Sequence, residues 1–223
     1  MKNRESSSLG QGMAWLTLFA VWTWLVQIVD VQRIGPDGSE VGFAALNGWF
    51  HRLTGVHMTL YHVTDWLGFV PVFICILFGI MGCRQLAMRR SLVKVDADIL
   101  FLGVYYAVGI AAYLAFEMIP INFRPLLIEG RLEASYPSST TLLVLSVMPT
   151  LAFQIDRRWK SKAGCKAVRM VAVAFSAFMV IGRLISGVHW MTDIVGSALL
   201  SRGMFCVYRT AVIWLDQRGH GGA

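Results

Sequence analysis

Apolar residues in this chain occur in six long runs that are separated by polar segments. Each run approaches the roughly 20 residues that an α-helix needs to cross the hydrocarbon core of a bilayer. The pattern predicts membrane-spanning helices over residues 13–30, 66–86, 98–116, 138–155, 168–187 and 190–215. We therefore expect an all-α, polytopic membrane helix bundle with six transmembrane helices.

The connection between the first two predicted helices is long and amphipathic. Residues 31–65 mix Trp49, Phe50 and other large apolar side chains with polar ones, a pattern typical of helices that lie in the membrane interface. We expect one or two interfacial helices in this first outer loop. The whole chain, residues 1–223, is then a single membrane domain whose core spans residues 66–215.

Three histidines, His51, His57 and His62, lie in the same outer segment. Their spacing fits no strong template for a metal site, so ordinary interfacial histidines are the favoured interpretation. We expect neither a metal ion nor another cofactor.

Positive charge is concentrated in alternate connections. The chain is 56% hydrophobic and 15% charged with a net charge of +7, whereas a soluble domain is about 25% charged. One set of connections and the chain ends hold Lys2, Arg4, Arg84, Arg89, Arg90, Lys94, Arg157, Arg158, Lys160, Lys162, Lys166, Arg169, Arg209 and Arg218. The other set holds Arg33, Arg52, Arg124, Arg131 and Arg183. The positive-inside rule then predicts that both termini are cytoplasmic. The charge marks the topology of a protein in a lipid bilayer, and we expect no nucleic-acid partner.

Two connections, residues 117–137 and 183–190, open on the predicted outer side. Arg124 lies in the first, followed by a Pro137-Ser138-Ser139 step at the start of the fourth helix. Proline before a helix with serine beside it marks a helix start, where free amides favour an anion. The guanidinium groups of Arg124 and Arg183 can donate forked hydrogen bonds to phosphate oxygens.

The second connection contains a histidine and a carboxylate at helical spacing. His189 and Asp193 are four residues apart, so they share one face of the sixth helix. Asp193 can accept from one imidazole nitrogen and leave the other free to attack or to bind. Gly187 permits a sharp turn before them. These residues together predict a phosphate-ester site at a membrane surface.

The segments "RP…PSS…GRLISGVHWMTD" resemble the three-part signature of the type 2 phosphatidic acid phosphatase superfamily, membrane lipid phosphatases related in fold to vanadium haloperoxidases. The resemblance covers roughly residues 60–212, and its most specific part is Arg183, five residues, His189, three residues and Asp193. It implies that His189 is a nucleophile that forms a phosphohistidine and that Asp193 orients it. It also implies that Arg183 and Arg124 hold the phosphate oxygens.

The second part of the signature, PSGH in the family, is Pro137-Ser138-Ser139-Thr140 here. Family roles imply that Ser138, Ser139 and Thr140 contact the phosphate, with Ser138 acting through its amide or hydroxyl. Thr140 stands where the family has a histidine that protonates the departing alcohol. A threonine hydroxyl cannot do this near neutral pH.

Two further positions depart from the family pattern. Glu117 stands where the first part of the signature has lysine, and Gly182 stands where the third part has serine. Glu117 is a possible modulator of the site, because it can pair with Arg124 or Arg183 and weaken their positive field.

Several functions remain open on these residues. The chain can be an enzyme for a lipid diphosphate, whose leaving group needs little protonation, or Glu117, Glu129, Glu133 or an outer-loop histidine can supply the proton. It can also be an impaired member that binds lipid phosphate, or a lipid phosphotransferase. A transporter is disfavoured, because the predicted spans are nearly free of charge away from the outer mouth.

We expect an enzyme: a lipid-phosphate phosphatase that prefers an isoprenoid diphosphate over a lipid phosphomonoester. Its partner is a phosphorylated membrane lipid, and its site lies on the outer side of a bacterial plasma membrane. The oligomeric state is left open by these residues.

Overall fold

The computed structural model describes the backbone of residues 2–220 and the side chains of residues 9–218. The side chains of Lys2 and Arg4, on which part of the topology prediction rests, lie outside the described residues. The helices are α1 (Lys2–Ile28), α2 (Ala44–Thr54), α3 (Met58–Leu67), α4 (Phe69–Arg89), α5 (Ala97–Met118), α6 (Ser139–Arg158), α7 (Lys162–Ile185) and α8 (Met191–His220). Short 3₁₀ helices occur at Pro36–Gly38 and Leu92–Lys94.

Six helical stretches in the described part of the chain are long and apolar enough to cross a membrane. They are Leu9–Ile28, Met58–Arg89, Ala97–Met118, Ser139–Arg158, Lys162–Ile185 and Met191–Arg218. The predicted all-α bundle with six transmembrane helices is confirmed, and the chain is an integral membrane protein. Most boundaries agree with the predicted ones to within a few residues.

The second span starts earlier than predicted. The amide of Gly68, between α3 and α4, donates to the carbonyls of Thr64 and Asp65, so helical hydrogen bonding continues from α3 into α4. Met58–Arg89 is therefore one apolar stretch of 32 residues. Of the expected outer helices, α2 lies wholly within residues 31–65, whereas α3 leads directly into the span. The expected division between residues 65 and 66 falls inside α3.

Helix α8 is the centre of the bundle, packing against α1, α5 and α6. Small residues permit the close approach of α1: a Cβ added to Gly203 would lie 2.8 Å from a methyl group of Leu16, and one added to Gly12 would lie 2.9 Å from a methyl group of Val207. Close packing through small residues is the usual way in which helices associate within lipid.

The bundle has two chemically different ends. At the basic end, Arg157 forms ion pairs with Asp98 at 3.3 Å and with Asp216 at 2.6 Å. At the opposite end, here called the site end, the Trp22 indole N–H donates to the Thr192 carbonyl at 3.2 Å. Helix α1 begins and α8 ends at the basic end, as expected for termini on one side. That this side is cytoplasmic stays a prediction. Charge is not confined to the ends, because Arg202 is exposed near the middle of α8.

Candidate active site

The turn between α7 and α8 positions His189 at the site end. Gly187 has φ +73°, and a Cβ at this position would lie 2.2 Å from the Gly55 carbonyl oxygen. Only glycine fits this turn, because the backbone is left-handed and the turn between α2 and α3 presses against it. The His57 amide donates to the Ser186 carbonyl at 3.0 Å and ties the two turns together. The expected sharp turn at Gly187 is confirmed.

His189 and Asp193 face each other in the interior. His189 is 3% exposed, and its Nδ1 lies 3.5 Å from Asp193 Oδ2. Asp193 is fixed by the Trp190 amide at 2.9 Å and by the Asn122 side-chain amide at 3.4 Å. Neither imidazole nitrogen forms a hydrogen bond within the described part of the chain. With Nδ1 turned to the carboxylate, Nε2 is left available for a ligand.

A hairpin in the connection between α5 and α6 positions Arg124. The Arg124 amide donates to the Glu133 carbonyl at 3.0 Å, and Phe123 pairs with Ala134 in an isolated antiparallel bridge. The Trp190 indole N–H donates to the Phe123 carbonyl at 2.7 Å. Trp190, the residue after His189, therefore holds the hairpin at the start of α8, next to His189.

A cavity of about 200 Å³ joins these elements. Its lining includes His189, Arg124, Ser139, Glu117 and Glu133. Arg124 Nε lies 3.0 Å from Glu133 Oε2 in an ion pair. Arg124 Nη1 is buried and forms no hydrogen bond with any described residue, so its N–H groups can still donate to an anion. His189 and Arg124 thus line the same cavity, which has room for a phosphate group.

Arg183 is held beside this cavity by its own partners. Its Nη2 donates to the Thr140 hydroxyl at 2.6 Å and pairs with Asp65 Oδ1 at 3.2 Å, and its guanidinium lies 4.9 Å from the centre of the Tyr61 ring. Neither Arg183 nor Thr140 is among the residues that line the cavity. The buried Nε of Arg183 is its one nitrogen without a hydrogen-bond partner among the described residues.

The start of α6 contributes amide groups. Ser138 precedes the helix, but its hydroxyl donates to the Thr141 hydroxyl at 3.0 Å and its amide faces the Asp193 carbonyl at 3.4 Å. Both polar groups of Ser138 are therefore used within the fold. The amides of the first helical turn, which begins at Ser139, have no partner inside the helix. They lie at the positive end of the helix dipole and favour an anion.

The pKa of His189 is shifted strongly downward. Burial is the main cause, and the positive charges of Arg124 and Arg183 add to it, whereas Asp193 opposes the shift. The pKa falls from 6.5 to about 4. His189 is therefore neutral at pH 7, which is the state a nucleophile requires.

Sequence reasoning missed the carboxylates that pair with the arginines. Glu117 lines the cavity, but the ion pairs of Arg124 and Arg183 in the described residues are with Glu133 and Asp65. Glu129 lies at the tip of the hairpin with φ +51°. No sequence signal distinguishes Asp65 from an interfacial carboxylate, because its partner is 118 residues away.

Two of the three histidines in the predicted outer segment contact backbone carbonyl groups. His51 Nε2 lies 3.2 Å from the Gly187 carbonyl, and His57 Nε2 lies 2.8 Å from the Thr54 carbonyl. Among the described residues, no cluster of three histidine, cysteine or carboxylate side chains has the geometry to hold a metal ion.

Comparison with known proteins gives a family match and a structural match. The sequence model of the PAP2 superfamily matches residues 100–216. A crystal structure of a transmembrane PAP2-type phosphatidylglycerolphosphate phosphatase from Bacillus subtilis superposes with a TM-score of 0.64 and 16% identity. The superposition covers 93% of this chain and 96% of that one. A search of curated proteins found none that matches this chain.

The lowered pKa of His189 gives a direct test. In protein labelled with ¹⁵N-histidine, the His189 imidazole should stay neutral from pH 7 to pH 5 and should titrate only near pH 4, as followed by NMR. Between about pH 6.5 and 4 only the unfolded chain takes up this proton, so the free energy of unfolding should fall as the pH falls through that window. A His189→Asn variant assigns the signal. A titration midpoint near 6.5 would contradict the buried, cationic environment.

Proposed function

The chain belongs to the PAP2 superfamily, and from that membership we propose that it is a membrane lipid phosphatase acting through a phosphohistidine. The main support is the shared cavity, which both His189 and Arg124 line. Asp193 Oδ2 lies 3.5 Å from the imidazole Nδ1, and Arg124 Nη1 has no hydrogen-bond partner among the described residues. A nucleophile, an orienting carboxylate and a cationic donor around one small space are the parts that phosphoryl transfer needs.

The proposed reaction has two steps. His189 Nε2 attacks phosphorus in line, the N–P bond forms, and the P–O bond to the leaving group breaks. Arg124 Nη1 and the amides at the start of α6 stabilise the charge on the phosphoryl oxygens. The oxygen of a water molecule then bonds to phosphorus, the P–N bond breaks, and inorganic phosphate leaves with His189 restored to its neutral form.

In this scheme Arg183 makes most of its hydrogen bonds within the protein. Its Nη2 is already bound to Thr140 and Asp65, so Nε is the donor left for a phosphate oxygen. Thr140, at the position of the family histidine, accepts a hydrogen bond from Arg183 and has no proton that it can supply to a leaving group near neutral pH.

We propose an isoprenoid diphosphate as the preferred substrate. A lipid monophosphate anion leaves without protonation, whereas an alkoxide needs an acid. Glu117 and Glu133, which line the cavity, are the acids that remain for a phosphomonoester. A second candidate is phosphatidylglycerol phosphate, for which the Bacillus subtilis phosphatase of similar fold is named.

A groove between α4, α5 and α6 supports a lipid substrate. Its volume is about 460 Å³, and Tyr113 and Ser139 line both this groove and the cavity. From Ser139 to Val147 it follows α6 for about 12 Å into the membrane. Its lining is largely apolar, so a hydrocarbon chain can lie there while its phosphate occupies the cavity.

The nucleophile is tested by mutation. His189→Ala should reduce phosphate release from an isoprenoid diphosphate in detergent micelles to background, because no other histidine among the described residues lines the cavity and could form the phosphohistidine. The assay measures inorganic phosphate from a panel of lipid monophosphates and diphosphates. His57→Ala is the matched control, since His57 lies outside the cavity, and it should keep the wild-type rate.

Two results would contradict this proposal. Wild-type protein that releases no phosphate from any lipid of the panel would favour a lipid-phosphate binding protein. Transfer of the phosphate to a second lipid instead of water would favour a phosphotransferase.

The preference for a diphosphate over a monophosphate ester can be tested at Thr140. Thr140→His restores a proton donor, so it should raise the rate for monophosphate esters more than the rate for diphosphates. A general acid contributes about 10²–10⁴ in rate, which sets the upper range of the gain. Thr140→Ser is the control, because it keeps the hydroxyl that Arg183 contacts. Equal effects on both substrate classes would remove the argument for a diphosphate.

A further inference from the structure

A second groove lies at the opposite end of the bundle from the site. It runs between α6, α7 and α8, has a volume of about 720 Å³ and is open at the surface of the bundle. Pro149 in α6 lines it, with Ala152 and Ala177 along its walls. Pro149 interrupts the hydrogen bonding of α6. The small side chains of Ala152 on α6 and Ala177 on α7 leave the groove unfilled.

The groove has the length of one lipid leaflet. On α6 it extends from Leu145 to Asp156, and on α7 from Arg169 to Val180. Eleven residues of helix span about 16 Å, and half of a hydrocarbon core is about 15 Å. An acyl chain from the leaflet at the basic end therefore fits its length, and the mostly apolar lining suits a hydrocarbon chain.

Charged groups occur only at one end among the described residues that line this groove. Asp156, Arg169 and Arg209 stand there, and Arg169 is paired with Asp156. Arg209 is exposed and has no ion pair or hydrogen bond with another residue in the described part of the chain. About 27 Å of helix separates it from the start of α8, so its guanidinium lies at headgroup depth when the site end is at the other surface.

We propose that this groove binds one anionic phospholipid from the leaflet at the basic end of the bundle. One acyl chain lies against Pro149, Ala152 and Ala177, and the phosphate contacts Arg209. Among the described residues that line the mouth, Arg209 is the one unpaired positive charge, so the mouth favours a headgroup with a net negative charge over a zwitterionic one. Cationic pockets between transmembrane helices on the basic side recognise anionic lipids in this way.

Native mass spectrometry of delipidated protein in detergent tests the proposal. Dioleoyl phosphatidylglycerol should bind more tightly than dioleoyl phosphatidylcholine and should raise the melting temperature more. Arg209→Gln should reduce this preference about fivefold, the size expected for one arginine near a membrane surface. Arg84→Gln is the matched control, because Arg84 is an exposed arginine on α4 that does not line the groove.

Three further measurements distinguish lipid binding in this groove from binding elsewhere on the protein. Ala177→Phe fills the groove and should weaken binding of both lipids, whereas glycerol phosphate should not bind, because it has no chain. Arg124→Gln alters the candidate active site and should leave this binding unchanged, so the result is independent of the phosphatase proposal. Equal losses in Arg84→Gln and Arg209→Gln, or equal binding of both lipids, would overturn the site. A groove closed by a second copy of the chain, seen as a dimer mass without lipid, would also overturn it.

Discussion

Two arginine side chains buried at one end of an apolar bundle constrain the rest of this structure. A guanidinium within a membrane protein is costly unless a carboxylate or an anion meets it. Arg183 and Arg124 are both at least nine-tenths buried, and each has one carboxylate partner among the described residues, Asp65 for Arg183 and Glu133 for Arg124. Within the same part of the chain, some N–H groups of each arginine have no hydrogen-bond partner. In the proposed function, a bound phosphate is the anion that meets these groups.

The carboxylate partners of the two arginines explain how α3 and the hairpin between α5 and α6 are placed. The ion pair of Asp65 with Arg183 joins α3 to α7, and most of α3 belongs to the part of the second span that the prediction left out. Glu133 requires that the hairpin fold back on Arg124, and Trp190 fixes that hairpin to the start of α8. The segments before α4 and between α5 and α6 thus hold the two arginines of the candidate site and are not only interfacial anchors.

Much of the fold and part of the site could be predicted from the sequence. The six spans follow from long apolar runs, and the pairing of His189 with Asp193 follows from their spacing of four residues. Asp65, Glu133 and Asn122 could not be found this way, because their roles depend on contacts between segments distant in the chain. Ser138 illustrates the same limit: its place before α6 was predictable, but the partners of its hydroxyl and amide, Thr141 and Asp193, depend on how α6 meets α8.

We propose that His189 and Arg124 act on one phosphate in one cavity. The decisive measurement is a structure of the protein with orthovanadate, which mimics the five-coordinate state of phosphorus. We expect vanadium bonded to His189 Nε2, with vanadate oxygens in contact with Arg124 and with the amides at the start of α6. Vanadate bound away from His189, or a cavity in which Arg124 stays paired with Glu133 and touches no vanadate oxygen, would contradict it.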